Sequence, residues 1–220
     1  MKKISIVDLF LFVLIILPAV YLSIIYKDLP STIPTHYGLN GPDKFGNKSE
    51  SWTTVFIITP ISVFIYFILK NLSAIDPKKY AAVSIKLVDK ILFIVITFFS
   101  LLQLIIINAS LGNDILIQKG MLPLLSLFFC LLGNAMINIK PNYFIGIRTP
   151  WTLESEANWK ATHRLGGKLW FWGGIVLTPL TFIIPFKIAV FIFLFIILVV
   201  TIIPIIFSYL FFKKQTNNAD

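Results

Sequence analysis

Charge is scarce in this sequence: only 13% of its 220 residues are Asp, Glu, Lys or Arg, roughly half the share of a soluble domain. Cysteine is nearly absent. The one thiol, Cys130, excludes an internal disulfide and a cysteine metal cluster, so it says nothing of redox compartment. There are two histidines. His36 shares a glycine-rich stretch with Asp43, but zinc takes three or four protein ligands, so a hydrogen-bonded surface histidine is expected there and no cofactor. Glu154 and His163 stand nine apart, about 13.5 Å along a helix, too far for an acid–base pair. No Ser–His–acid set, phosphate-binding loop or pair of acids within an apolar block is present, which argues against an enzyme.

Hydrophobic residues make up 57% of the chain and come in blocks rather than with an amphipathic period. A bilayer span needs about 20 mostly apolar residues at 1.5 Å rise each. Six blocks qualify: Ile4–Tyr26, Trp52–Leu69, Ile91–Asn108, Ile117–Ile139, Leu169–Ile184 and Ile188–Phe212. Each reads as a helix, because a segment in lipid must satisfy its own backbone hydrogen bonds. The fold class is therefore all-α, a polytopic membrane protein of about six transmembrane helices. Lys2 and Lys3 precede the first block as in a signal peptide, but the apolar stretch is long and no small-residue cleavage site follows Tyr26, so a retained helix is expected. The fifth block is short and holds Gly173, Gly174 and Pro179. It reads as a hairpin with the sixth, a re-entrant loop being the alternative.

The net charge of +9 reflects orientation better than nucleic acid. With the N-terminus inside, fourteen of the nineteen basic residues fall in cytoplasmic segments and five outside. Both termini are thus placed in the cytoplasm, with basic loops against anionic lipid. Ionisable groups inside a membrane mark transport pathways. Asp8 is the only acid within a block, and the halves show no clear internal repeat, so the transport case is weak. Two regions are expected: residues 1–70, a helix pair with its outer loop, and residues 71–220, four helices with an inner segment.

Two polar segments carry the information. The outer one, Lys27 to Ser51, contains IPTHYGLNGPDKFGNKSE, whose prolines and glycines predict a turn-rich loop without regular structure. The inner one, Lys140 to Lys168, reads KPNYFIGIRTPWTLESEANWKATHRLGGK. Thr149 and Pro150 suit the start of a helix, and Gly166–Gly167 its end before the fifth span. Trp151, Ser155, Trp159 and His163 recur every four residues and predict a stripe along one side. The stripe reads as a connector resting at the interface or as a docking surface for a cytoplasmic partner. Arg148 beside Thr149–Pro150 could clamp an anion.

GIRTPWTL followed by NWKATHRLGG resembles the signature of the SdpI family of bacterial immunity proteins. LPSTIPTHYGLNGPDKFGNKSE resembles the short unnamed domain that commonly precedes it. The resemblance implies protection against a secreted peptide toxin. It also implies that a small helix-turn-helix repressor is held at the membrane when toxin is present, without direct binding of nucleic acid by this chain. Carried over, Asn142, Gly146, Arg148, Thr149, Pro150, Trp151, Thr152, Trp159, Thr162, His163 and Arg164 belong to the inner, partner-binding motif. Ile33, Pro34, Thr35, His36 and Gly38 belong to the outer, toxin- or signal-facing one. A structural or permease-like membrane protein without a toxin role is the alternative, and a metal-assisted enzyme using His36 or His163 is a third.

Overall fold

The computed structural model describes residues 5–72, 85–142 and 144–217; the sequence readings at Lys2, Lys3, Lys78 and Lys79 lie outside them. Helix α1 spans Ile6–Ile25, with Ser5 and Asp8 forming a reciprocal cap at its start. A hairpin of β1 (Thr32–Gly38) and β2 (Gly41–Asn47) follows, then a 3-10 turn, Lys48–Ser51, that leads into α2 (Trp52–Lys70). Helices α3 (Ile85–Ala109) and α4 (Ile115–Met136) come next. A short α5 (Pro150–Glu154) precedes two long helices, α6 (Glu156–Ile183) and α7 (Phe186–Asn217).

Among the described residues, five helical segments, Ile6–Ile25, Lys48–Lys70, Ile85–Ala109, Ile115–Met136 and Phe186–Asn217, are long and apolar enough to cross a membrane. The sixth element, α6, is apolar only in its second half. The chain is a multi-pass cell-membrane protein, and its surface fits that solvent. Phe56, Phe64, Trp172, Phe195 and Ile203 are among many large apolar side chains facing outward. Exposed apolar area of this extent is stable against acyl chains and not against water.

Three sequence expectations are corrected here. The outer segment is not an irregular loop but an antiparallel hairpin pairing Thr32 with Asn47 and Gly38 with Gly41. Its prolines are tolerated because a two-stranded ribbon consists only of edges. Gly166–Gly167 do not end a helix, since α6 runs unbroken through them to Ile183. A Cβ on Gly167 would lie 2.8 Å from the Gly133 carbonyl, and one on Gly174 would lie 2.5 Å from the Ser126 carbonyl. These glycines therefore bring the backbones of α4 and α6 together. Between membrane helices burial of apolar area contributes little, and close backbone approach is what holds them. Finally, Ser155 interrupts the four-residue stripe. It is extended (φ −128°, ψ 116°) and caps α6, leaving Trp151 on a separate short helix. At the other end of α6, Ile184 and Pro185 turn the chain into α7, so the expected hairpin forms.

Helices α1, α2 and α3 form one packing unit. Leu11, Ile15, Tyr66, Leu72, Val88, Leu92 and Ile96 make its buried seam. Polar ties cross it: the Tyr21 hydroxyl donates to Asn108 Oδ1 at 2.9 Å, and Thr59 reaches Gln103 at 3.4 Å. Leu122, Leu177, Ala189 and Phe193 form a second seam among α4, α6 and α7.

Candidate functional site

The two polar segments lie at opposite ends of the bundle. The hairpin packs over the α3–α4 connection through Tyr37, whose hydroxyl donates to Asp114 Oδ1 at 2.9 Å and lies 3.4 Å from the Ala109 carbonyl. Burial first, and then the Asp114 carboxylate, push the Tyr37 phenol above its ordinary range, so it stays a donor. Ile33 is fully buried and anchors β1, Pro34 and Gly38 are half-buried, and Thr35 and His36 are exposed. His36 Nδ1 meets Asp43 Oδ1 at 2.5 Å across the hairpin. Among the described residues no three His, Cys, Asp or Glu come together as a metal site.

At the other end, the inner signature folds into a network of internal bonds. Asn142 ties its own loop. Its amide nitrogen donates to the Lys140 and Ile145 carbonyls, and its oxygen accepts from the Phe144 and Ile145 amides at 2.8 and 2.7 Å. Gly146, at φ +124°, turns the chain across the face of His163. His163 Nε2 accepts from the Ile147 amide at 2.9 Å, while Nδ1 lies 2.8 Å from the Trp159 carbonyl. A carbonyl only accepts, so Nδ1 carries the proton and the imidazole is neutral. With both nitrogens engaged and the side chain fully buried, His163 has no lone pair for a metal or a substrate. It stacks on Trp159 at 4.0 Å between ring centres, and the indole donates to the Ile139 carbonyl at 2.8 Å.

The Thr149 cap and α5 dock this network onto the last helix. Thr149 and Thr152 cap each other, and the Thr152 hydroxyl donates to the Ile147 carbonyl at 2.9 Å. Thr149 Oγ1 lies 3.2 Å from Ser208 Oγ. Asn158 is buried. Its amide donates to the Ser208 carbonyl at 2.8 Å and its oxygen accepts from Thr162 at 2.9 Å. Trp151 packs edge-on against Tyr209 with ring centres 5.1 Å apart. Of the eleven inner motif residues, Asn142, Thr152, Trp159, Thr162 and His163 are buried, whereas Arg148, Pro150 and Arg164 are exposed.

Sequence reasoning missed a charged cluster at this same end. Lys70, at the end of α2, lies 2.7 Å from Asp8 on α1 and 2.7 Å from Asp89 on α3. The Tyr66 hydroxyl donates to Asp8 Oδ1 at 3.0 Å. Asp8 is therefore not a lone carboxylate in a span. Spacing alone cannot join residues from three helices, although the isolated Asp8 was the signal that a partner existed.

Residues 138–208, which run from the signature loop through α6 into α7, match the model of the SdpI/YfhL protein family. Residues 13–59, which bracket the hairpin, match a domain of unknown function (DUF1648). Over residues 138–208 the chain is similar to the SdpI/YfhL family. It is 28% identical over 196 residues to the protein named Immunity protein SdpI of Bacillus subtilis (strain 168), covering 89% of this chain and 90% of that protein. No solved structure matches. Within the matched region, most of the residues quoted for the signature take part in the internal bonds just described, with Ser208 of α7 as a partner from outside the signature. In this chain Thr149, Trp151 and Thr152 thus dock α5 onto its neighbours, while Arg148, Pro150 and Arg164 are exposed.

Proposed function

We propose that this chain is a membrane immunity protein that protects its cell from a secreted peptide toxin met at the hairpin end. The observation that carries the proposal is the likeness to an immunity protein over nearly the whole of both chains. Two compact polar ends joined by long helices support a signalling role as well. The exposed Arg148, Pro150 and Arg164 form the surface offered to a small helix-turn-helix repressor. Coupling would require two arrangements of the bundle, with toxin and repressor each preferring one.

A dose–survival curve against a membrane-active peptide toxin, in a sensitive host expressing the protein, tests the reading. Survival should shift to higher dose while the toxin is recovered intact. Unchanged survival despite verified membrane expression would sink it, and toxin fragments would point to catalysis instead. The signalling arm is read from the same cells, where Arg148→Ala should release the repressor from membranes and leave survival unchanged.

The proposed orientation has its own test. Cysteine placed at Lys44 should react with an impermeant thiol reagent in intact cells, and cysteine at Leu153 only after lysis. The native Cys130 is buried and should stay silent. The reverse pattern would exchange the two ends and their assigned partners.

A further inference from the structure

A cleft of about 280 Å³ opens between the hairpin, the 3-10 turn and the outer ends of α2 and α3. Ile33, Pro34 and Thr35 of β1 line one side. Three consecutive residues of a strand cannot share one face, because side chains alternate, so β1 turns its edge toward the cleft. Thr35 falls at a register irregularity and has no partner in β2.

The opposite wall bears Ser51, Thr53, Thr54 and Ser110, and what the hydroxyls of Ser51, Thr54 and Ser110 offer is settled by their bonds. Ser51 donates to the Lys48 carbonyl at 2.6 Å, Thr54 to the Ser51 carbonyl at 3.3 Å and Ser110 to the Ile106 carbonyl at 3.3 Å. Each proton is spent on the backbone, so toward the cleft these groups present lone pairs. Glu50 adds the site's one charge. Its Oε1 accepts from the Asn47 amide at 2.9 Å, which fixes the carboxylate against the hairpin beside Gly46. The nearest candidate counter-ion in sequence, Lys48, lies instead over the Tyr26 ring, 5.0 Å from its centre.

We propose that this acceptor-lined, acidic cleft is the receptor site for a cationic side chain, a guanidinium or ammonium, of a peptide on the outer side. A planar or tetrahedral array of N–H donors satisfies several lone pairs and one carboxylate together, and charge-assisted bonds of this kind are the strong ones. Ile33, Pro34 and Ile106 receive the methylene stem, as such side chains bury their stems on apolar surface. The identity of the peptide as a toxin rests on the immunity reading; the chemistry of the cleft does not.

The test uses the full chain in lipid nanodiscs and two probes, acetyl-Ala-Arg-Ala-amide and its citrulline counterpart, which keeps shape and loses charge. Titration should show the arginine probe binding about tenfold or more tighter than the citrulline one. Glu50→Gln, which keeps the Asn47 contact, should cost the arginine probe about tenfold and leave the citrulline probe unchanged. Thr54→Val should weaken it as well, whereas Glu154→Gln, at the other end of the bundle, should not. Equal binding of the two probes, no binding of either, or full binding by Glu50→Gln would overturn the site. Survival assays separate the two readings: protection retained by Glu50→Gln despite the lost probe binding keeps immunity and removes the cleft as the toxin's receptor. Probe binding without protection keeps the cleft and removes immunity.

Discussion

Lys70→Met should destabilise the protein by about 3 kcal/mol, because it leaves the Asp8 and Asp89 carboxylates facing each other without a cation between them. In the native fold one ammonium lies 2.7 Å from both acids. The side chains of Lys70, Asp8 and Asp89 are 23%, 10% and 29% exposed, so water screens the cluster only in part. The three residues come from three helices, and Tyr66 adds a third polar contact. Losing the cation should therefore loosen α1 and α2 from α3 rather than perturb one helix. The measurement is thermal unfolding of the purified protein in detergent, read by loss of the monodisperse peak. Adding Asp8→Asn to Lys70→Met removes one of the stranded charges and should recover part of the loss, a coupling that simple packing damage would not show. A single variant that melts with the wild type would mean that the cluster contributes nothing to stability.

Gly146→Ala should be at least as damaging, at about 3–5 kcal/mol, and for a different reason. The residue sits at φ +124°, a conformation that L side chains rarely adopt. A Cβ there would also run into His163 Nε2 and approach Trp159 Cζ2 to 3.2 Å. His163 is fully buried, so it cannot swing into solvent to make room. Moving it breaks the Ile147 and Trp159 bonds together and strands polar groups in the interior. The expected result is a sharp fall in the amount of folded protein in membranes, with any survivor lacking activity. Wild-type levels for Gly146→Ala would show that the signature loop is held less tightly than its geometry requires. His163→Gln, which can keep one of the two bonds, should lie between.

Much of the fold was legible in the sequence because lipid imposes a simple rule. A backbone in hydrocarbon must bond to itself, so long uncharged runs such as Ile91 to Ile107 are helices whatever surrounds them. The Thr149–Pro150 helix start was legible for a comparable reason, since its cap is made by residues three apart. Gly166–Gly167 misled, because the same residue type that ends helices in water joins them in a membrane, and only the position of α4 decides between the two. The outer hairpin was missed because its strands, short and rich in Pro and Gly, lack the alternation of apolar and polar residues that betrays a half-buried strand.

The sites divide in the same way. Sequence likeness singled out the inner motif but not its role, since burial of Trp159 and His163 depends on where the loop through Ile139, Gly146 and Ile147 comes to rest, and that of Asn158 on the Ser208 region of α7. The Asp8–Lys70–Asp89 cluster and the acceptor-lined cleft beside Glu50 have no contiguous motif, and only the isolated Asp8 hinted at the first. Each joins segments far apart in the chain, and the cleft's chemistry arises from which protons are already spent on neighbouring carbonyls. By itself the sequence determined the solvent, the helical spans and the family likeness, because each follows from local composition or a contiguous motif. Which charges meet, which glycines join helices and which polar atoms still face outward were decided only by tertiary packing, since those depend on distances between segments that the chain order leaves open.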